Sequence, residues 1–395
     1  MKDIEKILRG DAEGIGRRDF MTLAGALGVG TALGTSLLGK PAHAATPKKG
    51  GHLIMGLDGA GAGDSVDPAT YTANYMQAVG MQFYNTLAEV DEKGQLQPSL
   101  AESWEAKPGA TEWVVKLRKG VQFHNGKEMK APDVVYSINH HRAEDSKSAA
   151  KSLLATVTDI KANGDNEITI LLSSGNADLP YILADYHIAI TPEGAPFDGR
   201  LGTGAFILEN FEPGVRTLTK RNPNYWNAAN RGHVDSVETL AINDPTARAS
   251  GLQSGSVHLI NRADPKIVSV LEKNPNIQIL EISGAGHYTL PMRCDTAPFD
   301  NADVRLAMKY AINREEVVKK VLRGHGKIGN DQPIPSFDPF FAADIPQRPY
   351  DPDKAKFHLK KSGYSGPIVL SISDAAFTGA VDAAQIYQAL SLIHI

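Results

Sequence analysis

A single cysteine, Cys294, in 395 residues leaves no internal disulfide and, alone, assigns no redox compartment. C-x-x-C and H-E-x-x-H are both missing, which removes the common zinc arrangements. Basic residues are not in excess: 41 Lys and Arg against 45 Asp and Glu give a net charge of -4. Nucleic-acid binding wants a basic face, and none is supplied. There is no G-x-S-x-G elbow, because Gly363-Tyr364-Ser365-Gly366 runs into Pro367. Gly59-Ala60-Gly61-Ala62-Gly63 is followed by Asp64, so dinucleotide spacing fails and a carboxylate would repel pyrophosphate. No cofactor is therefore expected. Internal repeats and low-complexity linkers are lacking as well.

What is present begins at the N-terminus. Gly16-Arg17-Arg18-Asp19-Phe20-Met21 opens an uncharged run, 21–39, rich in Ala, Gly and Leu. Lys40 follows, then Ala42-His43-Ala44, which fits a small-x-small cleavage site. Two adjacent arginines, a Phe two residues on and a weakly apolar core resemble a twin-arginine export signal. A membrane span wants about 20 strongly apolar residues, and this run is diluted by glycine. Cleavage after Ala44 would release a periplasmic product of a Gram-negative cell, with the twin-arginine translocase as partner during export. No cysteine stands near the cut to carry a lipid anchor.

Beyond residue 45 short β-type runs alternate with helical ones. Residues 52–57, 112–117, 167–172, 237–242, 277–282 and 367–372 read as strands. Pro132 suits a first helical position, with Asp133 in the first turn. Asp351 can cap a helix opening at Pro352. Asn313 with Glu316 resembles a capping box, and Gly324 ends that helix. Val304, Met308, Ala311 and Ile312 share one helical face. The alternation predicts an α/β architecture. The last six residues, Leu390 to Ile395, resemble the translation of an adapter used in sequencing libraries, so a non-native tail on a C-terminally truncated chain is expected; a natural strand is the alternative.

Two histidine features invite metal readings. His140 and His141 are adjacent on a helix and point about 100° apart, which predicts a solvated face rather than chelation. His124 lies in a Phe-His-Asn-Gly turn, where a structural hydrogen bond competes with a metal role.

One stretch carries a family likeness. Leu117-Arg118-Lys119-Gly120-Val121-Gln122-Phe123-His124-Asn125-Gly126-Lys127 runs into Ala131-Pro132-Asp133-Val134-Val135-Tyr136-Ser137-Ile138. It resembles the signature of the family 5 extracellular solute-binding proteins, which serve dipeptide, oligopeptide, opine and nickel importers. Gly202-Thr203-Gly204-Ala205-Phe206, Asn222-Pro223-Asn224-Tyr225-Trp226, Leu252 to Val257, and Pro298-Phe299-Asp300-Asn301 with Val304-Arg305-Leu306-Ala307 agree in order. His258 departs from the family's usual Asp. The likeness covers residues 49–390.

The resemblance implies a two-lobed periplasmic-binding-protein type II fold. Lobe one would span 45–284, with a subdomain inserted at about 90–191, and an incomplete lobe two 285–389. It implies a monomeric, non-catalytic receptor that takes a small peptide or related amino-acid-derived solute and hands it to ABC permease subunits in the inner membrane. Opine or nickel-chelate binding and a chemosensory role are alternatives; a periplasmic enzyme would need a cofactor motif that is missing.

Three stretches would face the inter-lobe cleft: the glycine-rich loop from Asp58 to Asp64, Thr203-Gly204, and a crossing strand over 286–294. Alternation along that strand would put His287, Thr289, Pro291 and Arg293 on one face and a buried Cys294 on the other. Arg293 offers a fork for a ligand carboxylate, or a salt bridge to a neighbouring acid. Asn330 and Asp331 offer further polar contacts, or a plain loop turn.

Overall fold

Strand formation in this chain follows alternation wherever a neighbour exists to complete the ladder. The computed structural model describes residues 47–91, 94–282, 284, 286–336, 338, 340–373 and 376–394, with only the backbone for 390–394. Arg17, Arg18, Ala42 and Ala44 lie outside the described residues.

The N-terminal half contains β1 (His52–Leu57), α1 (Asn74–Phe83), β2 (Ala88–Val90), β3 (Leu96–Pro98), β4 (Ala101–Ala106) and β5 (Glu112–Leu117). Then come α2 (Ala131–His140), β6 (Val157–Ala162), β7 (Glu167–Leu172), α3 (Leu179–Ile182), β8 (Phe206–Glu212), β9 (Arg216–Arg221) and β10 (Ser236–Ala241). The chain continues with α4 (Pro245–Ser254), β11 (Leu259–Ile260), α5 (Pro265–Leu271), α6 (Ala302–Ala311), α7 (Arg314–Lys320), α8 (Pro352–Ser362) and α9 (Ala380–His394).

Five strands form a mixed sheet in the order β11-β1-β10-β9-β8. β1 pairs in parallel with both β10 and β11, while β10, β9 and β8 are mutually antiparallel. Helix α1 packs on this sheet through Tyr75, Met76, Val79 and Phe83, all buried. Polar groups beneath it are satisfied: Tyr75 donates to the Thr239 carbonyl at 2.9 Å and Gln82 Nε2 to Thr239 Oγ1 at 2.9 Å.

A second, four-stranded antiparallel sheet has the order β4-β5-β7-β6. Trp113, Val115 and Leu117 of β5 alternate inward with Ile168, Ile170 and Leu172 of β7. Val134 and Ile138 of α2 join the same core. Helix α2 begins at Ala131, one residue before the predicted Pro132, and Asp133 lies in its first turn as expected, its carboxylate accepting from the Lys130 N–H at 2.8 Å.

Three of the six predicted strands match residue for residue, and 237–242 lies one residue late. Residues 277–282 and 367–372 are not strands. No described strand pairs with either one, and Leu280 and Val369 stand 73% and 78% exposed. Unpaired, a strand leaves its N–H and C=O groups without partners, so alternation alone does not make one. The crossing segment 286–294 is likewise irregular, and Cys294 is exposed rather than buried.

The histidine pair also differs from expectation. His141 is fully buried, with Nδ1 2.7 Å from Ser148 Oγ, and His140 is half-buried against Asp67. The end of α2 therefore faces the protein, not solvent. Both ring nitrogens of His124 lie near backbone carbonyls, Nδ1 3.3 Å from Arg200 and Nε2 3.2 Å from Gly204. Burial lowers its pKa, with those two carbonyls opposing the shift.

Candidate ligand-binding site at the carboxyl edge of the five-stranded sheet

Because β1, β10 and β11 run parallel, their carboxyl ends emerge at one edge of the sheet. In open α/β sheets that edge is where ligands bind. A polar residue follows each strand within two positions: Asp58 directly after β1, Asn243 beyond Ile242 after β10, and Asn261 with Arg262 after β11.

The local sequence explains why these loops are short. Asp244 precedes Pro245 and accepts from the Ala247 N–H at 2.7 Å, so α4 starts at once. Asp264 precedes Pro265 and accepts from the Lys266 N–H at 2.9 Å, starting α5 in the same way. An Asp cap with Pro at the first helical position ends the loop abruptly and holds the preceding Asn at the sheet edge.

Asp58 is the centre of the cluster. Its N–H donates to Asn261 Oδ1 at 3.1 Å, and its Oδ1 accepts from Asn261 Nδ2 at 2.7 Å. Oδ2 accepts from Arg262 Nη1 at 3.3 Å and lies 3.9 Å from Arg248 Nη2. Arg248 is only 4% exposed and donates from Nη1 to the carbonyls of Ile242 (2.7 Å) and Asn243 (2.9 Å). Its Nε is buried without a partner. Burial draws the Arg248 pKa below its usual value, opposed chiefly by the charge of Asp58.

The glycine-rich loop is tied down. Asn243 Oδ1 accepts from the N–H groups of Gly59 and Ala60 at 3.0 and 3.2 Å, and its Nδ2 donates to the Ala60 carbonyl at 2.9 Å. Asp64 closes the far side, accepting from the Gly61 N–H at 2.9 Å.

Thr203 and Gly204 are held by other groups. Thr203 is buried and donates to Asn85 Oδ1 at 3.2 Å. The Gly204 carbonyl accepts from Asn222 Nδ2 at 3.0 Å and faces His124. A Cβ at Gly204 would collide with the backbone of Gln82 and Phe83, so glycine is required for close packing there.

His287, Thr289 and Arg293 are exposed along the irregular segment. The Arg293 fork is occupied by Asp295, with Nε 3.2 Å from Oδ1 and Nη2 2.7 Å from Oδ2. Asn330 Nδ2 donates to the carbonyls of Ile345 and Pro346 at 3.1 and 2.6 Å, and its Oδ1 accepts from the Arg348 N–H at 2.7 Å. Asp331 pairs with Arg314 and with Arg348 at 2.8 Å. Burial would raise its pKa, but Arg348, Arg314 and Lys309 hold it below the usual carboxylate range.

Of the residues singled out from sequence, Asp58 alone joins the strand-edge cluster. Asn243, Arg248, Asn261 and Arg262 complete it and are not marked by the sequence reading. Their signal was the repeated Asn followed by Asp-Pro at 243–245 and, with two residues between, at 261–265.

A family model for the "Bacterial extracellular solute-binding proteins, family 5 Middle" matches residues 95–390. The chain belongs to this family. Heme-binding protein A of Haemophilus influenzae is 30% identical over 318 residues, covering 73% of this chain and 57% of that protein. Di/tripeptide-binding protein 1 of Pseudomonas aeruginosa is 26% identical over 365 residues, covering 84% and 67%. The chain thus spans 57% and 67% of these two relatives. The structure of the periplasmic binding protein DppA from Helicobacter pylori in complex with the peptide STSA matches with a TM-score of 0.73 at 25% identity, covering 87% of this chain and 72% of that one. The fold is the α/β, two-lobed periplasmic-binding-protein type. Family members are solute-binding proteins rather than enzymes. No helix among the described residues is long and apolar enough to cross a membrane.

Proposed function

We propose that this chain is the solute-capturing receptor of an ABC importer, binding a small peptide or a related amino-acid-derived solute and passing it to permease subunits. The observation that carries the reading is the polar cluster of Asp58, Asn243, Asn261 and Arg262, gathered from three strand ends in a family 5 fold. Two of the relatives compared above are named for, or solved with, peptides; heme, an opine or a metal chelate is the alternative ligand. No step of catalysis is assigned to it. Export by the twin-arginine route and action as a monomer in the periplasm belong to the same proposal.

The proposed division places lobe one at 45–284, the inserted subdomain at about 90–191, and lobe two from 285. The separate core of the sheet β4-β5-β7-β6 supports the insert. A two-lobe receptor closes by contacting its ligand from both sides.

Mass spectrometry of solute co-purified with the protein from the periplasm tests the reading, followed by titration calorimetry with di- and tripeptides. Recovery of a peptide-like solute is the expected result. Failure of di- and tripeptides to bind, with a sugar recovered instead, would overturn it.

A further inference from the structure

Arg262 is the anomaly of the strand-edge cluster. Its φ is +48°, in the left-handed region where a Cβ costs energy and where Gly or Asn is the usual occupant. The turn after β11 would form more easily with either, so the backbone gives no reason for arginine. An arginine standing where the backbone favours Gly or Asn points to its side chain.

That side chain is 57% exposed, whereas its partner Asp58 is 18% exposed. Only Nη1 is engaged, at 3.3 Å from Asp58 Oδ2. Among the described residues, Nε and the second Nη donate to no protein partner, so one edge of this half-exposed guanidinium keeps two donors unused. Asp58 is itself steadied by Asn261 at 2.7 Å and has Arg248 3.9 Å away. Its negative charge is therefore shared, and Arg262 is only partly neutralised. An anchored guanidinium with a free two-donor edge is the fork that matches a carboxylate.

We propose that Arg262 is a specificity-determining residue that takes the carboxylate of the solute, with Asp58 orienting its guanidinium. The proposal rests on the reading of the chain as a solute receptor but commits to more: a neutral solute of the same size would be refused at this position.

Three measurements on the full chain test the proposal, and the first two separate it from that reading. With 15N-labelled arginine, the Arg262 Nε–H signal, assigned by its loss in Arg262→Gln, is followed while sodium acetate is added at constant ionic strength against chloride. A saturable shift with acetate alone is expected, absent at Arg293; no shift, or the same shift with chloride, overturns the proposal whatever the natural solute is. In the second, trialanine and trialaninamide are titrated calorimetrically. Amidation and Arg262→Gln should each weaken binding by about ten- to a hundred-fold, and Arg262→Lys should recover only part of it. Trialanine binding that ignores both changes overturns the proposal while leaving the receptor reading intact. An acetate shift without trialanine binding does the reverse. Arg262→Asn should lose the acetate response yet melt no lower than the parent; a large drop in Tm would assign Arg262 a structural role instead and overturn the proposal.

Discussion

His140 and Asp67 join segments 73 residues apart: the imidazole Nε2 lies 3.0 Å from Oδ1 and 3.2 Å from Oδ2, with the ring stacked 3.9 Å from Phe197. His187 makes a second tie, 2.6 Å from Asp185 Oδ1 and 2.7 Å from the Tyr71 carbonyl. Both connect the surroundings of α2 to the chain that leads into α1.

Beside them, His141 controls how this junction responds to acid. Burial pushes its pKa down to about 4, helped by the charge of His140. The unfolded chain takes up that proton near pH 6.5, while the folded chain resists until about 4. Stability is therefore lost as pH falls through that window, by up to about 3 kcal/mol. His187 has a raised pKa, so its contribution is complete below 6.5 and fades only as pH rises. Asp67, held low by His140 although burial opposes this, keeps its contribution above 3.8 and loses it only in stronger acid. Urea midpoints measured from pH 7 to 4 should fall steeply, and His141→Gln should flatten the slope. An equal slope in the variant would show the proton going elsewhere.

Gly204→Ala should destabilise the protein by about 2–4 kcal/mol. The new methyl has to displace the backbone of Gln82 and Phe83 at the end of α1, and neither can move without α1. Thermal melts test this directly. A variant that melts normally but fails to bind a tripeptide would instead return Gly204 to the ligand site.

Arg248→Met should cost about 2–4 kcal/mol of stability. It leaves the carbonyls of Ile242 and Asn243 without their buried donor and takes a positive charge from beside Asp58. Chemical denaturation of the variant would settle it, and an unchanged midpoint would mean that water replaces the guanidinium.

The sequence disclosed strands more readily than their partners. Residues 52–57, 112–117 and 167–172 alternate and find neighbours, so pattern and structure coincide. Residues 277–282 alternate equally well, but period two describes only a face and says nothing of pairing. Helix adjacency fixed the angle between His140 and His141 without revealing that both turn toward protein. Asp58 was legible because it follows an evident strand. Arg262 was not, since its place depends on β11 lying beside β1, some 200 residues earlier in the chain. The Asp351-Pro352 helix start is legible in the sequence, and α8 is capped as expected, with Asp351 accepting from the Lys354 N–H at 2.9 Å. The same chemistry at Asp244-Pro245 and Asp264-Pro265 would have located the loops of the site.

The export proposal has a test that charge alone cannot pass. Arg17 and Arg18 precede the glycine-diluted run 21–39, and a weakly apolar core suits the twin-arginine route better than the general secretory one. Replacing both arginines by lysine preserves the positive charge but removes the planar, multi-donor guanidinia. A route that needs only a basic N-terminal region would tolerate the change. A translocase that reads the arginine pair would not. The double variant Arg17→Lys, Arg18→Lys should therefore accumulate as uncleaved precursor in the cytoplasm, seen by fractionation and immunoblotting against the parent. Normal periplasmic accumulation of cleaved product would reject the twin-arginine assignment while leaving signal-directed export by another route in place.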